Sequence, residues 1–553
     1  MKSQAVFNDA QEPTRDALPP LPRTALGRRS VALWIAGYLV AGIALFFCYL
    51  HISYTQNVSS DGASNALQAW DMLHGNLLLS GWTLSDVSFY TTELPEYALV
   101  EVFRGLGPAD AHVSAAVTYT LLVVPAGLLA KGRATGRAAL LRVLIATGIM
   151  VAPEIGPGAF ILLLSPDHAG TGVPLLVIWL LVEYCPRRPY TPVLVGLTLT
   201  WATIGDTLVA LMAALPIVVM CCIRVRQAAG QQHASGRERR YNISLAIAAA
   251  ASVPAAVIAV KAISALGGCT VLRQRFGIMS PGSWRLNLRL TVEGILGLYG
   301  ADFNSRSARL FLLVAVVHFI GLGLAAWGLS RGIRQIKNGE TIIDGALSIA
   351  VVINVLAYLC SNLPQTQWDT REIAVTLPYG AVLAGRLLPG TLAKRAMRPG
   401  LITWAACYLF ALIFALTHPG RPANDQDLAT WLSQHHLTCG LSSYADGNTT
   451  ALDSAGRIRL RAPTWTSRGV YPGAYESKNA WFSPGACDAT FVVSTRQYGE
   501  SFYVPPSMAI KAFGEPQATY RYAAYTIMTW PDNLLTHLRR PSPVTSSPWT
   551  VAG

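Results

Sequence analysis

The residues best placed to do chemistry lie between Ser59 and Glu101, where six carboxylates occur: Asp61, Asp71, Asp86, Glu93, Glu96 and Glu101. Arg104 is the arginine nearest to them in sequence. Long apolar runs precede and follow the stretch, so it is held at a membrane surface. Acidic groups concentrated there read as a cation or sugar site.

Spacing shows what positions the first of them. Ala63, Leu67, Trp70 and Leu73 recur at the interval of one helix face, and Gly75 follows as a stop. Asp61 then opens a helix after Ser59 and Ser60. Its carboxylate could cap the helix by accepting backbone N–H bonds, or it could be free for chemistry.

Of the 553 residues 52% are hydrophobic and only 13% charged, and the mean hydropathy is +0.37, values that exclude a soluble protein of this size. The chain reads as mainly α, a polytopic membrane helix bundle. The net charge of +13 does not point to nucleic acid, because the basic residues flank apolar spans instead of gathering with stacking aromatics. Residues 1–30, with four prolines before Arg28 and Arg29, read as a disordered cytoplasmic tail. The run from Val31 to Ile52 is too long for a signal-peptide core.

Apolar stretches near 31–53, 112–130, 138–152, 172–186, 191–204, 207–223, 242–262, 308–330, 341–360, 373–388 and 400–417 give about eleven spans over residues 31–417. With a cytoplasmic N-terminus, the Lys131 to Arg137, Arg187–Arg188, Arg224 to Arg240, Arg331 to Lys337 and Lys394 to Arg398 clusters fall on one side. That is the positive-inside pattern, and it turns the acidic loop and everything after 417 outward, in a multi-pass protein of the cell membrane. Residues 418–553 mix helical and alternating patterns and are predicted to form a small extracytoplasmic α/β domain. Cys439 and Cys487 are its two cysteines and the expected disulfide; Cys269 and Cys360 could also pair.

The segment Asp61-Gly62-Ala63, continuing through Ala66-Leu67-Gln68-Ala69-Trp70-Asp71-Met72-Leu73-His74-Gly75-Asn76, resembles the first extracytoplasmic loop of the GT-C membrane glycosyltransferases, the superfamily of protein mannosyltransferases and aminoarabinose transferases. Where many relatives have Asp-Glu this chain has Asp61-Gly62, and where they have Pro-Pro-Leu it has Glu93-Leu94-Pro95-Glu96-Tyr97. The resemblance implies a GT-C-like fold and an inverting glycosyltransferase that moves a hexosyl or pentosyl group. The donor would be a polyprenyl-phosphate-linked sugar and the acceptor a cell-envelope glycan or lipid, with membrane lipids the other partners. Asp61 is the implied catalytic base or metal ligand, and the implied cofactor is a divalent metal ion. A second acidic group sharing that metal would be Glu154, Asp167 or His168; Asp167 and His168 could equally form a turn after Pro166.

Arg371 sits where family members often carry an arginine near the donor phosphate, although Asp369 and Glu372 are ready ion-pair partners. Arg273 and Arg275 lie on the outward side against the topological trend. They suit a lipid phosphate or, alternatively, anionic headgroups. Glu93, Glu96 and Tyr97 complete an expected sugar or acceptor subsite, and Asp206 could cap a helix or face a cavity. Two rival readings remain: a lipid-linked sugar flippase, for which no inverted repeat is visible, and an envelope scaffold, which expects Asp61 and the outward arginines to be dispersed.

Overall fold

The computed structural model describes residues 28–156, 161–164, 167–229, 236–272, 277–303, 309–336, 341–392, 398–420, 426–466, 468–495 and 504–540. Most of the expected tail, and both Arg273 and Arg275, lie outside these residues. Contacts divide the chain into two units, Met1–Ala44 and Leu45–Gly553. What is described of the first belongs to helix α1 (Arg28–Ser53), apolar from Val31 onward.

Each of the eleven apolar stretches lies on a helix. Among the described residues seven helices are long and apolar enough to cross a membrane by themselves, within α1, Ala109–Lys131, Ala210–Ala228, Gly236–Ala265, Phe311–Ile336, Ile342–Cys360 and Pro399–Leu416. The other four are shorter: Gly136–Met150, Gly172–Tyr184, Tyr190–Gly205 and Thr376–Leu387. The last needs no lipid-spanning length because every residue from Thr376 to Arg386 is buried in protein.

Helices approach this closely where side chains are absent. A Cβ on Gly328 would stand 2.6 Å from the backbone nitrogen of Ala384, and one on Gly332 would stand 3.4 Å from the Asp344 carbonyl. The two glycines are four residues apart, the small-residue spacing that lets membrane helices touch. Gly328→Leu is therefore expected to cost about 1–3 kcal/mol by overpacking against main chain that cannot yield. The check is the thermal midpoint of detergent-solubilised protein, with exposed Gly323, whose Cβ would meet nothing within 4 Å, as the control site. Arg386 ties the same bundle together. Its Nε donates to Asp344, and its Nη1 reaches Glu183 at 3.1 Å and the Leu129 carbonyl at 2.9 Å.

The polar elements gather outside the bundle. Helix α2 (Ser60–Leu73) and helix α3 (Leu94–Arg104) belong to the first loop. A five-stranded sheet follows the last span, in the order β4 (Arg459–Arg461), β3 (Cys439–Leu441), β8 (Phe491–Thr495), β10 (Tyr525–Thr529), β9 (Ala518–Tyr522). The first three strands are parallel, and β8, β10 and β9 run antiparallel in turn. Cys439 and Cys487 form the disulfide, with Cα atoms 6.3 Å apart, while Cys269 and Cys360 are free thiols.

This sheet region is joined to the first loop. Strand β7 (Ser477–Lys478) pairs antiparallel with β1 (Trp82–Leu84), and Lys478 Nζ binds Asp71 Oδ1 at 3.0 Å. The Ser60 hydroxyl donates to the Ala445 carbonyl at 2.9 Å, at the start of the helix Tyr444–Asp453. These contacts set residues from both ends of the sequence around Asp61.

Candidate functional site

Helix α2 forms where the apolar spacing placed it, and its cap is Ser59. That hydroxyl accepts the Gly62 N–H at 3.0 Å, so Asp61 is not needed as a cap and projects from the first turn. A Cβ on Gly62 would meet the Leu164 carbonyl and Ser59 Oγ at 3.2 Å and Tyr97 Oη at 3.4 Å. The tight approach accounts for a glycine beside Asp61 where a longer residue would collide with main chain.

Four connections converge on Asp61. Arg371, in the 3-10 turn Gln367–Ile373, donates from Nη1 to Asp61 Oδ2 at 2.6 Å and to Asp167 Oδ2 at 3.2 Å. Asp167, from the loop before helix Gly172–Tyr184, takes a further bond at Oδ1 from Asn65 Nδ2 at 3.1 Å. Tyr444 Oη lies 2.8 Å from Asp61 Oδ1 and also bonds Glu476. A tyrosine hydroxyl has one proton to donate. Burial, together with repulsion from Asp61 and Asp167, pushes the Glu476 carboxyl well up, and the one Tyr444 proton is shared between Asp61 and Glu476.

The partners open to Arg371 in the sequence are otherwise engaged. Asp369 accepts the Gln365 and Thr366 N–H groups and caps the 3-10 turn, while Glu372 turns to His168 Nε2 at 3.3 Å. Asp61, Asp167 and Arg371 keep 16%, 4% and 20% of their side-chain surface, so the ion pairs are largely withdrawn from water. Arg371 Nε is buried and, among the described residues, has no hydrogen-bond partner. A guanidinium with an unused donor, aimed into a cluster reached by two carboxylates, can take an oxyanion.

Behind this layer His168 is fixed from both sides. Its Nδ1 lies 2.7 Å from Asp206 Oδ2, which also accepts from Thr171 at 2.9 Å. Burial disfavours the imidazolium, but the Glu372 and Asp206 carboxylates outweigh it and raise His168 well above its ordinary value. His168 holds a left-handed φ of 61°, a conformation uncommon for a non-glycine residue and kept here by both ring bonds. Asp206 caps a helix and faces the cluster, for its Oδ1 accepts the Leu208 N–H at 2.8 Å.

The expected site residues are not all brought together. The four proposed metal ligands do not converge: both His168 nitrogens are engaged, and Glu154 lines a separate pocket with Phe311, Val314 and His318. The point shared by Asp61 and Asp167 is filled by Arg371 Nη1, and among the described residues no cluster of three His, Cys, Asp or Glu side chains is placed to hold a metal. As placed here, the two carboxylates leave a divalent ion no open point between them, and the Arg371 guanidinium lies against both.

The expected sugar subsite also turns inward. Glu93 is buried against Thr92 and Thr171, Tyr97 is buried below Gly62, and Glu96 accepts from Thr118 Oγ1 at 2.9 Å. Burial pushes Glu96 up to about 8. A folded-state value above the unfolded one means stability present in acid and lost as pH rises toward 8. Glu96→Gln keeps the acceptor oxygen for Thr118 and is expected to stabilise the protein by about 1–2 kcal/mol at pH 8 and not at pH 4.5. Thermal midpoints of the two proteins across that range check it; parallel curves would refute it.

Tyr444, Glu476 and Asn65 were not foreseen as site residues. Asn65 lies one turn after Asp61 on the same helix face and could have been found. Tyr444 and Glu476 lie more than 380 residues downstream of Asp61 by the span of the Tyr444 contact alone, and no local pattern marks them.

The path of the chain can be matched against solved structures. ArnT from Cupriavidus metallidurans superimposes in its apo state with a TM-score of 0.52 at 12% identity, over 93% of this chain and 100% of that one. The same protein bound to undecaprenyl phosphate gives 0.53 at 11%, over 92% and 100%. The chain has the GT-C fold. A second GT-C protein, the Archaeoglobus fulgidus oligosaccharyltransferase tethered to an acceptor peptide, aligns at a TM-score of 0.44 and 15% identity, over 84% and 69%. No protein-family model and no curated protein sequence matches the chain. Likeness at this identity fixes the GT-C architecture, and residue roles rest on the geometry above.

Proposed function

We propose that this chain is a membrane glycosyltransferase that moves a sugar from a polyprenyl-phosphate carrier to a hydroxyl on a cell-envelope glycan or lipid at the extracytoplasmic face. The observation that carries the reading is Asp61, held between Arg371 and Tyr444 with Asp167 alongside. The solved GT-C neighbour bound to undecaprenyl phosphate supports a carrier of this chemistry. A scaffold would leave Asp61 and the outward arginines dispersed, which a 2.6 Å ion pair does not match.

Each Asp61 oxygen uses one lone pair on its present partner and keeps another for substrate. In the reaction the acceptor oxygen attacks the anomeric carbon from the face opposite the carrier, its proton passing to Asp61. The bond from that carbon to the phosphate oxygen breaks, and the electron pair leaves with the lipid phosphate. Arg371, through Nε and its remaining N–H groups, meets the charge that grows on the phosphate. The His168 pair with Glu372 steadies the turn that carries Arg371. The outward-facing site follows from the basic clusters on the opposite side.

The test compares membranes with and without this chain for release of radiolabelled sugar from polyprenyl-phosphate carriers. Transfer that depends on the chain supports the reading, and identical release across a panel of carriers would sink it.

A further inference from the structure

Arg461 is the last residue of β4, and its guanidinium lies 3.8 Å from the centroid of the Trp481 ring. Among the described residues no carboxylate pairs with it and no acceptor takes its N–H groups. The neighbouring arginines differ: Arg459 Nη1 donates to the Ala486 carbonyl at 3.1 Å, and Arg457 Nε donates to the Ser454 carbonyl at 3.0 Å. Burial, with Arg459 alongside, pushes Arg461 down to about 9. A half-buried cation facing a second cation and no anion is a costly arrangement, and stacking on an indole offsets only part of the cost.

Its place in the fold gives the cost a use. Arg461 pairs with Leu441 across the parallel strands β4 and β3, and the Ser442 N–H donates to the Arg461 carbonyl at 2.8 Å. The chain then passes through Ser443 to Tyr444, which touches Asp61. On the other side Trp481 follows Glu476 by five residues and packs on Trp82 of β1, with ring centroids 4.8 Å apart. Two site-bearing segments therefore flank the free guanidinium. Tyr444 stands three residues beyond Leu441, the strand partner of Arg461, a chain path of about 10 Å, which is the length of about two sugar rings.

We infer that Arg461, on the face of Trp481, is a receptor for an oxyanion, a phosphate or carboxylate group, on the molecule that presents its hydroxyl to Asp61. The inference rests on the transferase reading and adds to it that the acceptor is anionic. A planar guanidinium over an indole leaves its edge N–H groups pointing outward, which suits two oxygens of one such group.

The test uses the full chain in nanodiscs and glycerol 1-phosphate as probe, with binding read from phosphorus NMR line broadening. Arg461→Gln is expected to weaken the probe by about tenfold or more, the loss of a charge-assisted bidentate contact. Arg371→Gln should leave the Arg461-dependent component in place. If Arg461→Gln does not fold, Arg461→Lys, which keeps the charge and loses the fork, is expected to weaken the probe by about threefold or more. Equal binding in wild type and whichever variant folds overturns the receptor. Discs of phosphatidylcholine alone and discs containing phosphatidylglycerol distinguish the sources. Competition that needs Arg461 identifies a lipid headgroup as the oxyanion, and its absence identifies the acceptor's own group. The readout is binding, so the receptor and sugar transfer can fail independently.

Discussion

Asp61→Asn is expected to lower sugar transfer by about a thousandfold while carrier binding stays within a few-fold of wild type. The amide oxygen can still accept from Tyr444, so the local hydrogen bonds on that side persist. What disappears is the group that receives the acceptor proton, and an amide N–H2 would face Arg371 where a carboxylate oxygen now lies 2.6 Å away. The measurement is the rate of transfer at saturating carrier, beside a separate binding assay for the carrier. Full transfer by the variant would remove Asp61 from the mechanism. Equal loss of binding and transfer would make it a binding residue.

Arg371 carries the second large effect, in two parts that separate by substitution. Arg371→Lys keeps one positive charge but loses the planar fork and the unpartnered Nε, so transfer should fall by roughly a hundredfold with little change in stability. Arg371→Ala removes the guanidinium that Asp61 and Asp167 share in a largely buried cluster, and a loss of about 3 kcal/mol is expected at neutral pH. The check is the thermal midpoint of each variant beside wild type. A deficit in Arg371→Ala no larger than that in Arg371→Lys would mean that the cation is not what holds the two carboxylates together.

Much of this architecture was legible from local signals. Eleven apolar runs became helices because burying or lipid-solvating a run of apolar residues requires its backbone to be satisfied internally. The face defined by Ala63, Leu67 and Trp70 set α2, and the single pair of cysteines after the last span set the disulfide. Arg371 could be singled out through the family resemblance, which implies an arginine near the donor phosphate just before this apolar helix. Its choice of partner could not, since Asp369 and Glu372 are closer in sequence and both are drawn away, one into capping a turn and one onto His168.

Burial sets several of the expected residues apart from Asp61. Glu93, Glu96 and Tyr97 stand on the acidic loop, and sequence alone treats a loop carboxylate as exposed; α3 packs so that Glu96 meets Thr118 and Glu93 meets Thr171. Burial then shifts them toward the neutral form and removes them from the open face of the site. Glu154, Asp167 and His168 lie within fifteen residues of one another, yet of the three only Asp167 is shown joined to Asp61, through Arg371, while the left-handed backbone at His168 directs its ring to Asp206 and Glu372.

By itself the sequence determined that this is a membrane helix bundle with an acidic first loop, which apolar periodicity and charge placement encode within a few turns of chain. Only the tertiary structure decided what Asp61 faces. Arg371 and Tyr444 lie 310 and 383 residues away along the chain, and no local propensity records a contact over such a separation. The guanidinium set between Asp61 and Asp167, the raised Glu476 carboxyl and the stacking of Arg461 on Trp481 all follow from which groups folding buries together.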